Sequence, residues 1–147
     1  MKDKFTTYQI AKELKELGFD EPCFATYMKD ACGSKKPFEY DIDYCTKTQM
    51  SSGLASHNNL YKNDWVAAPT WQDVIDWLED KHKLFVDVFP TLVSVSDKTG
   101  HRFTWDIVDL DDYATTITDT SPLGFLTSKE GRVDAILKAI ETIKTRK

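Results

Sequence analysis

The chain has 147 residues, a length at which a single domain buries enough surface to form its own core. Hydrophobic residues make up 41% of the sequence, which excludes an intrinsically disordered chain. The formal net charge of −5 disfavours a nucleic acid as partner, because phosphate groups are bound by basic surfaces.

The first predicted element is an α-helix that begins near Thr6. Thr6 and Gln9 match the pattern of a capping box, in which side chains pair with the free amides of the first turn. Gly18 is expected to end the helix in the left-handed backbone conformation. The buried stripe of this helix is formed by apolar residues at helical spacing: Ile10, Leu14 and Leu17.

A β-hairpin is predicted next. Residues 23–28 form a short apolar segment, and residues 38–44 alternate between apolar and acidic side chains. This alternation is typical of a strand with one buried face. Residues 46–64 are rich in Ser, Asn and Thr and show no period, so we expect this segment to be mobile.

The second predicted helix follows Pro69. Thr70 is expected to cap it, and Asp73 lies close to the positive end of its dipole. Trp77 is placed at the edge of the apolar stripe. The stripe itself consists of Trp71, Val74, Ile75 and Leu78.

Strands follow this helix. Alternation over residues 84–89 predicts a strand that Pro90 either breaks or kinks at a sheet edge, and Val93 and Val95 either continue it or start another. Residues 97–100 have the composition of a turn. The next strand has one face formed by Phe103, Trp105 and Ile107.

A polar connection over residues 109–127, with a turn at 122–124, leads to the last predicted helix. Thr127 or Ser128 is expected to cap this helix. Its apolar stripe consists of Val133, Ile136, Leu137, Ile140 and Ile143.

The order α-β-β-α-β-β(-β)-α predicts an α+β fold with one antiparallel sheet of about four or five strands and three helices. We expect a single domain over residues 1–147. No apolar run approaches the roughly 18 residues of a membrane span, and the first residues lack the apolar stretch of a signal peptide. The odd number of cysteines, three, is unlike a disulfide framework. The expected location is therefore the cytoplasm, with no membrane partner.

Three blocks of the chain resemble a known group of sequences. They are residues 17–24 (Leu-Gly-Phe-Asp-Glu-Pro-Cys-Phe), 68–78 (Ala-Pro-Thr-Trp-Gln-Asp-Val-Ile-Asp-Trp-Leu) and 135–141 (Ala-Ile-Leu-Lys-Ala-Ile-Glu). They look like small uncharacterised proteins encoded by phages, prophages and related mobile elements of gut bacteria. The chain departs from that group before its last helix, where residues 131–134 (Gly-Arg-Val-Asp) replace an Arg-Glu-Ala pattern. The resemblance implies a mobile genetic element and no particular mechanism.

The helix, strands and final helix over residues 70–146 resemble a double-stranded-RNA-binding domain in their order alone. That module requires lysines at the start of its last helix. Here Glu130 and Asp134 offset Lys129 and Arg132, so we do not expect binding to nucleic acid.

Two places in the sequence are candidates for metal binding. Asp109, Asp111 and Asp112 cluster in the acidic segment 106–112, and hard cations bind clustered carboxylates. The segment lacks the glycine and the terminal glutamate of a calcium loop, so no metal is assigned to it. The three cysteines are nine and thirteen positions apart, unlike the close ligand pairs of zinc sites. No cofactor is predicted.

No catalytic signature surrounds any cysteine or serine, so a non-enzymatic protein is favoured. Trp65 and Trp77 are the candidates for a partner-binding surface if they are exposed, and the favoured alternative is that they pack in the core or at its edge. The leading hypothesis is an accessory protein that binds another protein. Two alternatives stay open. One is a small metal-dependent or hydrolytic enzyme that uses the acidic segment 106–112, through Asp109 or Asp111, or His101. The other is an acidic decoy that mimics nucleic acid.

Overall fold

The computed structural model describes residues 4–29, 40–44, 65–95, 98–112, 115–121 and 123–146 of the chain. The helices within these residues are α1 (Tyr8–Glu16), α2 (Trp71–His82) and α3 (Ser128–Arg146). The strands are β1 (Ala25–Lys29), β2 (Tyr40–Tyr44), β3 (Val66–Ala67), β4 (Leu84–Val95), β5 (Lys98–Asp109) and β6 (Thr116–Thr118). The α+β class is confirmed, and the order agrees with the predicted one except for the additional short strand β3.

The chain divides into two compact units, Met1–Val74 and Ile75–Lys147, and the boundary falls within α2. The described strands form two antiparallel sheets of three strands each, in the orders β2-β1-β3 and β4-β5-β6. This corrects the expectation of one sheet, because each central strand already has a neighbour on both edges. The single-domain organisation stays a prediction, and the segment 46–64 lies outside the described residues.

Helix α1 begins one residue later than predicted. Its N-cap is Thr7, whose hydroxyl accepts a hydrogen bond from the amide of Ile10 at 3.4 Å. Thr6 is buried instead, and its amide donates to the carbonyl of Pro69 at 3.0 Å. Thr6 is therefore held by the extended segment before α2, and the side chain of Gln9 bonds Glu13 at 3.3 Å rather than returning to the cap.

The end of α1 matches the prediction. Gly18 has a φ of +94°, the left-handed conformation that glycine adopts without steric cost. The amide of Phe19 donates to the carbonyl of Leu14 at 2.9 Å, and the amide of Gly18 donates to Lys15 at 3.1 Å. These two bonds form a Schellman motif, and they direct the buried side chain of Phe19 inward.

Strand β1 is the centre of the sheet in the first unit. Tyr27 lies opposite Ile42 of β2 and Val66 of β3, so the predicted pairing of the hairpin strands is confirmed. The hydroxyl of Tyr27 donates to the carbonyl of Thr6, and the ring of Tyr8 meets the Tyr27 ring edge-on at 5.7 Å. The core of this unit includes Phe5, Ala11, Ala25, Tyr27, Val66 and Ala68.

In the second unit, α3 packs on β4 and β5. The predicted alternation of β5 is confirmed, because Trp105 and Ile107 are both buried. The predicted stripe of α3 is only partly correct. Its centre is buried, at Ile136, Ile140 and Ile143, whereas Leu137 is 40% exposed. Leu137 therefore lies on the flank of the helix rather than on the face that covers the sheet.

Strand β4 continues through Pro90, so of the two alternatives that the sequence leaves open, a break or a place at a sheet edge, the break does not occur. β4 is an edge strand, and the amide of Leu110 donates to the carbonyl of Lys83 at 2.7 Å. Since hydrogen-bonded pairs alternate along an antiparallel ladder, the odd-numbered residues of β4 bond to β5 and the even-numbered ones face outward. Pro90, opposite Phe103, therefore sits where no N–H is needed, as expected for proline at a sheet edge.

The turn predicted over residues 97–100 lies too late in the chain. Val95 already pairs with Lys98, and Gly100 lies within β5 opposite Val93. The order allows a third strand before the last helix, but the sequence places that strand at Val93 and Val95 and assigns the residues of β6 to a polar connection. The three residues of β6, Thr-Ile-Thr, are too few to show a period. The two predicted caps downstream are correct: Thr70 and Asp73 bond reciprocally at the start of α2, and so do Thr127 and Glu130 at the start of α3.

Candidate functional site

Trp105 and Asp134 join the central strand of the second unit to α3. The alternation of β5 directs Trp105 toward the helix, where it is 4% exposed, and its indole Nε1 donates to Asp134 Oδ2 at 2.9 Å. A buried indole N–H needs an acceptor, and the carboxylate supplies one. Asp134 is only half-buried, and within the described residues its Oδ1 has no hydrogen-bond donor. This oxygen is available to a ligand.

A cavity of about 340 Å³ opens beside this pair, between β6 and α3. Its charged residues are three carboxylates and one ammonium group, so its formal charge is negative. Lys138 is already engaged, since its Nζ lies 2.7 Å from Oε2 of Glu141. The cavity is lined by Trp105, Ile117, Thr118, Asp119, Thr120, Asp134, Leu137, Lys138 and Glu141.

Asp119 has a structural role in this cavity. Its Oδ1 accepts the amide of Ser121 at 2.7 Å, and its Oδ2 accepts the hydroxyl of Thr104 at 3.2 Å. Its own amide donates to the carbonyl of Trp105 at 3.0 Å. Both carboxylate oxygens of Asp119 are therefore used to hold the chain as it leaves β6, and Asp134 is the carboxylate better placed to accept a bond from a ligand.

A second cavity of about 370 Å³ lies next to the first along α3. Asp134 and Leu137 line both cavities, and the second is largely apolar. Its remaining lining residues are Phe125, Lys129, Glu130 and Val133. We refer to the two cavities together as the α3 groove. The groove is apolar at its Phe125 end and acidic at its Glu141 end.

Phe125 is held in place by the backbone of β5. Its amide donates to the carbonyl of Phe103 at 2.7 Å and its carbonyl accepts the amide of Phe103 at 2.8 Å. The preceding Gly124 has a φ of +62°, and a Cβ atom there would lie 2.6 Å from the carbonyl oxygen of Phe103. Only glycine permits this approach, so Gly124, which ends the turn predicted from the sequence, shapes the apolar end of the groove.

The predicted aspartate cluster forms a turn. Asp109 Oδ1 accepts the amides of Asp111 and Asp112 at 2.9 and 3.3 Å, and its Oδ2 accepts Arg146 Nη2 at 2.6 Å. The amide of Asp111, above all, and the Arg146 guanidinium hold the pKa of Asp109 below its ordinary value. Among the described residues, no three His, Cys, Asp or Glu side chains are grouped to hold a metal. The oxygens of Asp109 are thus taken by the protein itself.

Of the two tryptophans that are candidates for a partner surface, one is exposed and the other is buried. Trp65 is 41% exposed, but Trp77 is 4% exposed, and its ring meets that of His82 edge-on at 4.4 Å. Trp77 is therefore a core residue, because the apolar face of α2 is wider than its sequence stripe suggested. Trp65 stays an exposed residue of the first unit, where its carbonyl accepts Lys15 Nζ at 2.7 Å.

The residues proposed for an enzyme are not brought together. His101 and Asp109 lie on the same strand, eight residues apart, which corresponds to roughly 26 Å at the rise of a β-strand. Cys23 is buried, and its Sγ lies 3.4 Å from the carbonyl of Glu21. Cys32 and Cys45 lie outside the described residues.

The α3 groove itself was missed in the sequence. The sequence pattern places Trp105 in the core, and in it Asp134 only offsets the charge of nearby basic residues. A signal was present, because Asp134 interrupts the apolar residues of α3 between Val133 and Ile136. An acidic residue at the margin of a buried helix face requires a partner, and here the partner is an indole.

Comparison with protein-family models, with curated proteins and with solved structures gives no match to this chain. Among the helices of the described residues, none has the length and apolarity needed to cross a membrane.

Proposed function

We propose that this protein is a non-catalytic, protein-binding accessory protein of a phage or another mobile genetic element, and that its partner binds in the α3 groove. The resemblance of residues 17–24, 68–78 and 135–141 to small mobile-element proteins supports the biological context. The groove supports the binding role, because it combines an apolar cavity with an oriented carboxylate.

The observation that carries this proposal is the exposure of apolar side chains along and beside the groove. Leu137 lines both cavities and is 40% exposed. Leu123 and Leu126, which precede and follow Phe125 closely in the chain, are 51% and 66% exposed. Leaving such a group in water forfeits burial energy that a partner would recover, at about 25 cal/mol for each Å² covered.

Two leucine substitutions test the proposal. Leu137→Glu places a charge in the α3 groove, and Leu92→Glu makes the same change at a 66%-exposed leucine of β4 that does not line the groove. The wild type, L137E and L92E are immobilised at equal amounts and incubated with lysate of the bacterial cells that encode the protein. Bound proteins are quantified by mass spectrometry.

We expect a partner that the wild type and L92E retain equally and that L137E loses by about 10-fold or more, the effect of roughly 1.4 kcal/mol. Circular dichroism spectra and melting curves of the three proteins establish that each is folded. The proposal fails if no protein is retained above the background of the matrix, or if L137E retains the same proteins as L92E.

A further inference from the structure

Among the described residues, the outer edge of β6 is exposed and its outward backbone groups have no partner strand. The amide of Asp119 donates to Trp105 at 3.0 Å, and the amide of Asp109 donates to the carbonyl of Thr115 at 3.1 Å. Odd-numbered residues of this run therefore bond to β5, and the backbone groups of Thr116 and Thr118 point away from it. No strand among the described residues pairs with this edge, since the sheet order ends at β6.

The first cavity lies beside this open edge. Ile117 pairs with the buried Ile107, so its side chain lies on the face of the sheet that α3 covers. Ile117 and Thr118 line the cavity from the strand side, and Leu137 and Glu141 line it from the helix side. A strand added at the edge of β6 would direct alternate side chains into this space.

The charge of the cavity selects the kind of side chain that would enter. Carboxylates outnumber the one ammonium group three to one, and Lys138 is already paired with Glu141. Asp134 is oriented by Trp105 and keeps Oδ1 available. A lysine or arginine side chain would form a charge-assisted hydrogen bond with this oxygen. An anionic polymer such as RNA would be repelled by the same carboxylates.

From these observations we infer that the partner contributes an extended, basic peptide segment, which adds to the sheet as a strand beside β6. A lysine or arginine of the segment bonds Asp134, and an apolar residue two positions away packs against Leu137, which lines both cavities of the α3 groove. Backbone bonds to Thr116 and Thr118 fix the direction of the segment. This inference rests on the proposed function and specifies the partner that the groove accepts.

A random-sequence library of displayed 12-residue peptides, selected on the full chain, provides the probe. We expect the enriched peptides to share a lysine or arginine two positions from a large apolar residue, because residues i and i+2 of a strand face the same side. The tightest peptide is then synthesised with a fluorophore, and its Kd is measured by polarisation. Enrichment of peptides without a basic residue would overturn the inference.

The charge contact is tested with Asp134→Asn. Its carboxamide oxygen still accepts the indole N–H of Trp105, so the variant removes the charge and keeps the fold. We expect the Kd of the peptide to rise at least about 10-fold. Asp111→Asn removes an exposed carboxylate outside the groove and is expected to leave the Kd within about 2-fold. Equal effects of the two variants would contradict a specific contact at Asp134.

The added strand is tested from both sides of the interface. Two versions of the peptide carry N-methyl groups on alternate backbone nitrogens, one on the odd-numbered and one on the even-numbered residues. The version whose methylated nitrogens face β6 should lose binding, and the other should keep it. Thr118→Pro removes an outward N–H without removing a bond to β5, and Thr118→Ala removes only the side chain. We expect loss of binding with proline and retention with alanine. If the protein binds both N-methylated peptides, the inferred strand geometry is wrong. This result does not depend on whether the proline variant folds, because the peptides are tested on the unchanged protein.

The outcomes separate this inference from the proposed function. If no peptide is enriched but the lysate partner still depends on Leu137, the extended basic segment is wrong and the binding role of the α3 groove remains. If L137E and L92E retain the same proteins, the binding role fails as well. A 20-base-pair double-stranded RNA that binds and is lost in D134N would overturn the inference in favour of nucleic acid.

Discussion

Trp105 Nε1 donates to Asp134 Oδ2 at 2.9 Å, and this bond joins β5 to α3 across 29 positions of the chain. The indole is buried, and the carboxylate is the acceptor of its N–H. In return the indole sets the direction in which Asp134 presents its other oxygen. One contact therefore stabilises the second unit and orients the charged residue of the α3 groove.

Replacement of Asp134 by leucine should destabilise the protein. Asp134→Leu leaves the buried N–H of Trp105 without an acceptor, which costs about 1–3 kcal/mol of unfolding free energy. Asp134→Asn retains an acceptor and should lose much less. Urea unfolding followed by circular dichroism measures both values. Equal stabilities of the two variants would mean that the indole bond contributes nothing to the folded state.

Gly131 allows α3 to approach the sheet. A Cβ atom at this position would lie 3.2 Å from Val88 Cγ1 and 3.5 Å from Phe125 Cδ2, in the first turn of the helix. Gly131→Leu should therefore lower the unfolding free energy by about 1–3 kcal/mol through overpacking, despite the better helix propensity of leucine. Glu141→Leu, on the same helix, controls for leucine at an exposed site. A stabilised G131L variant would show that α3 can move away from β4 freely.

The phase of the β4–β5 ladder predicts opposite outcomes for proline at neighbouring positions. Thr91, opposite Arg102, directs its N–H toward β5, whereas position 90 faces outward. Thr91→Pro should cost about 1–3 kcal/mol, since the carbonyl of Arg102 loses its donor. Pro90→Thr should change stability by no more than about 1 kcal/mol. Chemical denaturation gives the unfolding free energy of both variants and of Thr91→Ala, the control for loss of the side chain. Similar losses of unfolding free energy at positions 90 and 91 would contradict the assignment of odd-numbered β4 residues to the bonds with β5.

The contacts of Asp109 predict a stability that depends on pH. Its folded pKa lies below the ordinary value of 3.8, so the unfolded chain binds the proton more tightly. The stabilisation is therefore complete above that value and is lost as the pH falls through the folded pKa. Asp109→Asn retains an oxygen for the turn but loses the charge.

Melting temperatures of the wild type and D109N, measured at about pH 6 and about pH 2, check this prediction. The wild type should melt higher at the upper pH, and the difference should shrink toward zero in acid. When both proteins also carry Arg146→Met, the difference between their melting temperatures at the upper pH should be smaller, because this substitution removes the guanidinium that contacts Asp109. A difference that grows as the pH falls would reverse the sign and exclude the proposed cause.

Local structure was largely predictable where it depends on neighbours in the sequence. The caps at Thr70 and Thr127 and the glycine end of α1 were predicted correctly, because a helix end requires a donor or acceptor a few residues away. The pairing of β1 with β2 followed from alternation and proximity in the chain. The cap at Thr6 was displaced by one residue, because a bond to Pro69, distant in sequence, holds Thr6 elsewhere.

The candidate site depends on contacts between distant segments, and these were not predictable. The acidic segment around Asp109 makes it a candidate cation ligand, but Arg146, distant in sequence, contacts its carboxylate. Trp77 lies at the edge of the predicted stripe, where the sequence leaves both a surface and a core position open, and it is buried. Neither outcome can be derived from the residues beside them, because each depends on which element folds against that position.

The amino-acid sequence by itself determined the class of the fold and most helix ends, since periodicity and capping act within a few residues along the chain. The tertiary structure alone decided the division into two sheets, the burial of Trp77 and the meeting of Trp105 with Asp134. Burial and charge pairing depend on atoms that are close in space but far apart in sequence. For that reason the α3 groove, which we propose as the binding site, is defined only by the packing of β5, β6 and α3 and not by any one segment of the sequence.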